Sequence, residues 1–178
     1  MPRVDRLRSV GTYEGKDEAA AALKSHGDMA VVFRGVARML LIRCPCGCGD
    51  DLVVNLDRRA GPAWRMYARN DGVSLFPSYW RETACGSHFI VWSNQIHWCT
   101  WDHDEDFWTN SSRIQDRVFE ALPTHFAPYQ DVADAIGEIP WEVLQACHHL
   151  TFKGLAEANT GRRRGEFRRI ASSSDQTR

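Results

Sequence analysis

Three cysteines within five residues, Cys44-Pro45-Cys46-Gly47-Cys48, constrain this chain more than any other feature. Thiols so close together do not staple distant parts of a chain, and in a reduced compartment clustered cysteines point to a metal. A second cluster, Cys85-Gly86-Ser87-His88, follows later. Zinc takes four thiolate or imidazole donors in a tetrahedron, and two short loops with two donors each meet that need. Gly47 and Gly49 let the first loop turn tightly around an ion, and Pro45 stiffens it. The plain alternative is cysteine packed as a small apolar residue. Three of them interleaved with proline and glycine fit it poorly. The candidate ligands are Cys44, Cys46, Cys48, Cys85 and His88, and the expected cofactor is zinc.

Composition narrows the setting. Of 178 residues, 43% are hydrophobic and 25% charged, which suits a folded core and argues against disorder along the whole chain. The net charge of -1 excludes a chain built as a whole to bind polyanions. The longest aliphatic run, near Met39 to Ile42, is far too short to cross a bilayer. The first residues carry no apolar signal segment. A cytoplasmic protein is expected.

The period of the pattern divides the chain near residue 105. Residues 1–28 read as an N-terminal extension with a short helix at 17–24. Residues 29–105 read as a small antiparallel zinc-binding β domain. Asn70-Asp71-Gly72 and Ser93-Asn94 mark two hairpins. The acidic stretch 102–106 reads as a solvated connector. Beyond it the period becomes 3.6. Asn110 is a candidate cap for a helix through Leu122, Tyr129 to Ile136 is a second helix, and Pro140 opens a third. The end of the chain, Arg162 to Arg178, is basic and polar, and 172–178 reads as a disordered tail. The expected fold class is α+β, a β domain followed by a three-helix domain.

The second hairpin has chemical consequences. A two-residue turn at Ser93-Asn94 sets Ile90 opposite His97 and His88 opposite Cys99. Cys99 is then a further donor or a reactive thiol beside the ion, and His97 lies on the same face. Glu82, three residues before Cys85, is a candidate general base beside metal-bound water. The donor set is over-complete, and a saturated ion favours a structural role. Two thiolates and one histidine would leave a position open for water and a catalytic role. With a structural ion, the nucleophile is Cys99 with His97, or a serine.

The ordered motifs Cys44-Pro-Cys-Gly-Cys-Gly, Trp64, Leu75-Phe-Pro-Ser78, Cys85-Gly-Ser-His88-Phe89 and Ile96-His-Trp98-Cys99 resemble a bacterial family, the group filed as domain of unknown function 6527. The likeness covers residues 30 to 100. Genes of that family lie beside operons for ubiquitin-like conjugation. The resemblance implies a peptidase that matures or removes a bacterial ubiquitin-like modifier, with that modifier and its E1-like and E2-like enzymes as partners. It carries Cys44 to Cys48, Cys85 and His88 over as the metal set, and Ser78 and Ser87 as motif positions without a derived role. Residues 111–171 are similar to a winged-helix domain, with Thr160-Gly161 at the tip of the wing. Arginines on that wing suit phosphates, but the third helix has no Lys or Arg before Lys153, so a protein partner is expected ahead of DNA. The reading is a zinc-binding, metal-dependent peptidase with Glu82, His97 and Cys99 as catalytic candidates. The alternative is a non-enzymatic adaptor stabilised by zinc.

Overall fold

Residues 28 to 55 alternate between two apolar faces, and those faces organise the first half of the molecule. In a computed structural model that describes residues 3–99 and 114–170, the chain divides into two units, Met1–Asp104 and Glu105–Arg178. The first unit opens with β1 (Arg8–Tyr13), α1 (Lys16–Ala22), β2 (Asp28–Phe33), β3 (Ala37–Arg43) and β4 (Asp51–Asn55). The strands form one sheet in the order β1-β2-β3-β4, with β1 parallel to β2 and the rest antiparallel. Residues 1–28 are therefore no separate extension. Their strand was illegible because β1 is polar and half-exposed along its length.

One face of this sheet takes α1, where Ala19 and the C-terminal cap residue Leu23 pack on Ala30, Val32 and Leu41. The opposite face carries Met29, Leu40, Ile42, Leu52 and Val54 into the main core. The parallel crossover is tied at Asp28, which is 1% exposed. Its carboxylate accepts from Arg8 at 2.7 Å and from the amides of Lys24 and Ser25 at 2.9 and 2.8 Å. Burial pushes its pKa up, but the two amides and the Arg8 guanidinium outweigh burial and hold it below the usual value.

The rest of the unit packs on that core. β5 (Arg65–Arg69) and β6 (Gly72–Phe76) form a hairpin around Asn70-Asp71. β7 (Tyr79–Trp80), β8 (His88–Trp92) and β9 (Gln95–Trp98) form a three-stranded sheet in that order. Ser93 and Asn94 both have left-handed backbones, at φ 49° and 65°, as a two-residue hairpin turn of this hand requires. The register is the expected one, Ile90 opposite His97 and Phe89 opposite Trp98. The Cys99 amide donates to the His88 carbonyl at 2.9 Å and extends the pairing by one step. Asn94 also locks this turn to β6. Its backbone amide donates to the Val73 carbonyl, and its side-chain oxygen accepts from the Val73 amide, both at 2.8 Å. A Cβ on Gly72 would lie 2.7 Å from the Asn94 side chain. The outer edge of β9 is covered by the N-terminal segment, since Ile96 donates to the Asp5 carbonyl and Leu7 to that of Asn94. β7 lies at the other edge.

The second unit contains α2 (Gln115–Ala121), β10 (Ala127–Pro128), α3 (Tyr129–Ile136), α4 (Pro140–Phe152), β11 (Ala156–Ala158) and β12 (Glu166–Arg169). Its sheet is antiparallel in the order β10-β12-β11. α3 stops at Gly137, in the left-handed conformation at φ 67°, and α4 opens on Pro140. Val118, Val132, Val143, Leu150 and Phe167 are buried. The Asn110 cap, the acidic stretch 102–106 and the tail 172–178 lie outside the described residues. No helix among the described residues is long and apolar enough to cross a membrane.

Replacing Asp28 by Asn should cost about 2 kcal/mol at neutral pH, the scale of a broken buried charged hydrogen-bond set. Because the folded-state pKa is depressed, this stabilisation is present above the unfolded value of about 3.9 and is lost as the pH falls through the folded one. Urea melts should therefore separate parent and D28N at pH 7, and the gap should narrow progressively as the pH is lowered beyond about 4 towards the depressed folded value. A gap that stays constant as the pH falls would refute the assignment.

Candidate metal centre and active site

The first cysteine loop is the turn between β3 and β4. The Cys44 amide donates to the Asp50 carbonyl at 2.8 Å and closes the loop at its base. Gly47 and Gly49 take φ of 87° and 88° inside it, which a residue with a Cβ adopts only under strain. Arg43 pins the loop from outside, donating to the Gly49 carbonyl at 2.6 Å and pairing with Asp51 at 3.1 Å. The second loop joins β7 to β8 and is closed by the Arg81 amide on the Ser87 carbonyl at 2.9 Å. Arg81 also pairs with Asp50 of the first loop at 2.9 Å, so the two loops are bound across.

The loops bring four sulfur atoms together. Sγ of Cys44, Cys46, Cys48 and Cys85 all lie within 4.8 Å of one another. Cys44 is 3.3 Å from Cys46 and 3.8 Å from Cys85. Zinc with four thiolates at 2.3 Å sets its sulfurs about 3.8 Å apart, so the cluster has the size of a tetrahedral site. All six cysteines are free thiols. Ser87, 3% exposed, sits under the cluster with its Oγ 3.1 Å from Cys85 Sγ and 3.6 Å from Cys44 Sγ. Burial opposes ionisation of Cys85, yet the Ser87 hydroxyl and amide with the neighbouring sulfurs bring its pKa down to about 6. Burial pushes the Cys44 thiol up. Metal binding would remove such protons, since the ligands bind as thiolates.

His88 is not in this group, which corrects its expected place among the ligands. As the first residue of β8 it faces β7, and its Nε2 lies 3.2 Å from Ser78 Oγ. Ser78 immediately precedes β7 and follows the cis peptide between Phe76 and Pro77. The Trp64 indole donates to its carbonyl at 3.4 Å. The Trp80 ring lies 5.6 Å from the His88 ring, centre to centre. Among the described residues no carboxylate forms an ion pair with His88. The arrangement is a serine–histidine pair on one strand junction, with one member of the cysteine cluster, Cys85, on the loop between its two members.

The other candidates lie apart from that hydrogen bond. Glu82 is exposed in the β7–β8 loop. His97 is opposite Ile90 and packs against Trp92 at 6.2 Å, and burial lowers its pKa. The Cys99 thiol reaches the His97 carbonyl at 4.0 Å. Sequence reasoning left Ser78 without a role because a two-residue strand leaves no alternation to read. The signal that was present is a serine and a histidine in the same ordered motif set.

A family model described as "Bacterial ubiquitination-like system serine protease (BubE)" matches residues 16–99. The match names a ubiquitination-like system, the setting implied by the motifs, though under a different family name. It overturns the expectation of hydrolysis by a bound metal, because a serine protease takes its nucleophile from a serine side chain. It also runs against a non-enzymatic adaptor. No curated protein and no solved structure matches this chain.

Purified protein should hold one zinc ion per chain, and Cys44→Ser or Cys85→Ser should release it. Ser87→Ala should keep one ion but weaken its affinity about tenfold to a hundredfold, the range for a lost partner of a metal ligand. Competition titration with a chromogenic chelator reads both. Unchanged affinity in S87A would remove Ser87 from the centre.

Proposed function

We propose that the first unit is a serine peptidase acting on a bacterial ubiquitin-like modifier, with Ser78 as nucleophile and His88 as general base. The observation that carries this reading is the 3.2 Å contact between Ser78 Oγ and His88 Nε2, together with the match to a serine protease family over the same residues. For His88 to act as base, Nε2 must accept from the serine hydroxyl, which puts the ring proton on Nδ1.

The chemistry then follows. Ser78 Oγ attacks the scissile carbonyl carbon while His88 Nε2 takes the hydroxyl proton. The tetrahedral intermediate collapses as His88 gives that proton to the leaving amine, and the acyl group stays on Ser78. Water attacks the ester with His88 again accepting a proton, which returns to Ser78 as the acid product leaves. The work usually shared by a third residue falls here to the backbone. The pairing of β7 with β8 sets His88 opposite Trp80, two residues from Ser78, and the loop that leads into His88 is held through Cys85.

Zinc fits the four thiols and would act as a brace. Four thiolates saturate it and leave no position for water. Its chemistry is to tie the β3–β4 loop to the β7–β8 loop, whose two stems carry Ser78 and His88.

The second unit follows the helix, strand, helix, helix, strand, strand order of a winged helix, which supports reading it as a docking module for a protein of the same pathway. The absence of Lys and Arg from α4 disfavours a DNA-reading helix. Several arginines around the 161–169 hairpin already have local partners. Arg163 pairs with Glu166, Arg168 pairs with Glu157 and stacks on Phe126, and Arg169 stacks on Phe119.

A small fluorophosphonate should label one residue, Ser78, in the parent protein. Ser78→Ala should lose labelling and cleavage of a modifier–reporter fusion, by at least about a thousandfold. It should retain zinc and its thermal midpoint. Glu82→Gln and Cys99→Ala should stay within about threefold of the parent, well inside the loss expected for a general base or nucleophile. Labelling at another residue, or full activity in S78A, would refute the assignment.

A further inference from the structure

We infer that Trp80 is the residue on which the substrate polypeptide rests beside the scissile bond, a contact that sets substrate affinity. This rests on the reading of Ser78 as nucleophile.

The argument begins with alternation along β7. Tyr79 points into the core, its ring 5.7 Å from Phe89 and 5.8 Å from Trp64. Trp80, its neighbour, therefore points to the opposite face, where it lies across from His88 in the pairing of β7 with β8. A tryptophan on that face is 48% exposed. An open tryptophan offers a broad flat apolar face, and such residues are enriched at contact surfaces. Its position says which surface. It is two residues from Ser78, its ring borders the His88 ring, and β7 is the edge strand of its sheet. Two residues along β8 on the same face, Ile90 is half-buried. Trp80 and Ile90 thus make a short apolar strip running from the serine–histidine pair across the outer face of the sheet.

The ligand that suits this strip is an extended polypeptide segment. A flat indole beside a nucleophile stacks on peptide planes and small side chains without requiring a charge. Among the groups of the strip itself, Ser78, Trp80, His88 and Ile90, none carries a fixed charge, so affinity for the segment falls on apolar contact. A lengthening of the segment along the strip should add affinity, and loss of the indole should remove it.

The test compares the parent with Trp80→Ala and Trp80→Phe, using the zinc-loaded full chain. Steady-state cleavage of a modifier–reporter fusion and labelling by a small fluorophosphonate are measured in parallel. In W80A we expect KM to rise about tenfold to a hundredfold, the effect of removing an aromatic anchor. The kcat should stay within about threefold, Ser78 should still be labelled, and W80F should recover most of the lost affinity. Unchanged KM in W80A would overturn the inference. So would loss of labelling together with kcat, because Trp80 would then act through His88 and not on the substrate. If the parent protein itself is not labelled at Ser78, the reading of the active site fails, and with it this contact.

Discussion

The first unit depends on a single convergence, four thiols from two loops that are far apart in sequence. Each loop has its own closure, Cys44 on Asp50 in one and Arg81 on Ser87 in the other. The sulfur cluster and the Arg81–Asp50 pair join the two loops. The consequence lies in the stems. The β7–β8 loop begins just after the strand that follows Ser78 and ends at His88, so a shift in the loop is a shift between the proposed nucleophile and base. Hydrogen-bonded catalytic groups tolerate little of that, since a misplacement of about 1 Å can cost about a hundredfold.

The same geometry explains how one motif serves two roles. Cys85, Ser87 and His88 lie within four residues. Along this stretch Ser87 turns inward, buried against the sulfurs, and His88 turns to the opposite face toward Ser78. Alternation of this kind separates the sulfur cluster from the face proposed for the reaction. Four thiolates around zinc carry a net charge of -2, which would repel a developing oxyanion if it faced the substrate. Arg81 lies near Cys85 and Cys48 and offsets part of that charge. A brace facing the core side and a neutral aromatic surface facing the substrate are compatible in this way.

Much of this was legible in the residues, and the losses have physical causes. The run of Val, Met, Leu and Ile through 29–44, broken at Gly35, and the Ser93-Asn94 turn led to the right strands and register, because composition and turn chemistry are local. The glycines at 47 and 49 announced a tight loop for the same reason. His88 misled because histidine is an ordinary zinc donor and its spacing from Cys85 suited one. Only the third dimension shows that the sulfurs of Cys46 and Cys48 both join those of Cys44 and Cys85, with the imidazole outside the group. β1 and β7 were missed because one is a polar edge strand and the other is two residues long. With β7 went the nearness of Ser78 to His88, a contact between residues ten apart that no periodic pattern encodes.

The central claim is that the metal braces the active site without touching the substrate. The most direct measurement is the turnover of protein reconstituted with cadmium in place of zinc, on the same modifier fusion. Cadmium accepts four thiolates in a tetrahedron but is a different Lewis acid. The account predicts kcat within about threefold of the zinc protein and equal labelling at Ser78, since the chemistry belongs to Ser78 and His88. A collapse of kcat by a hundredfold or more, with Ser78 labelling and thermal stability intact, would contradict it and return the metal to the reaction.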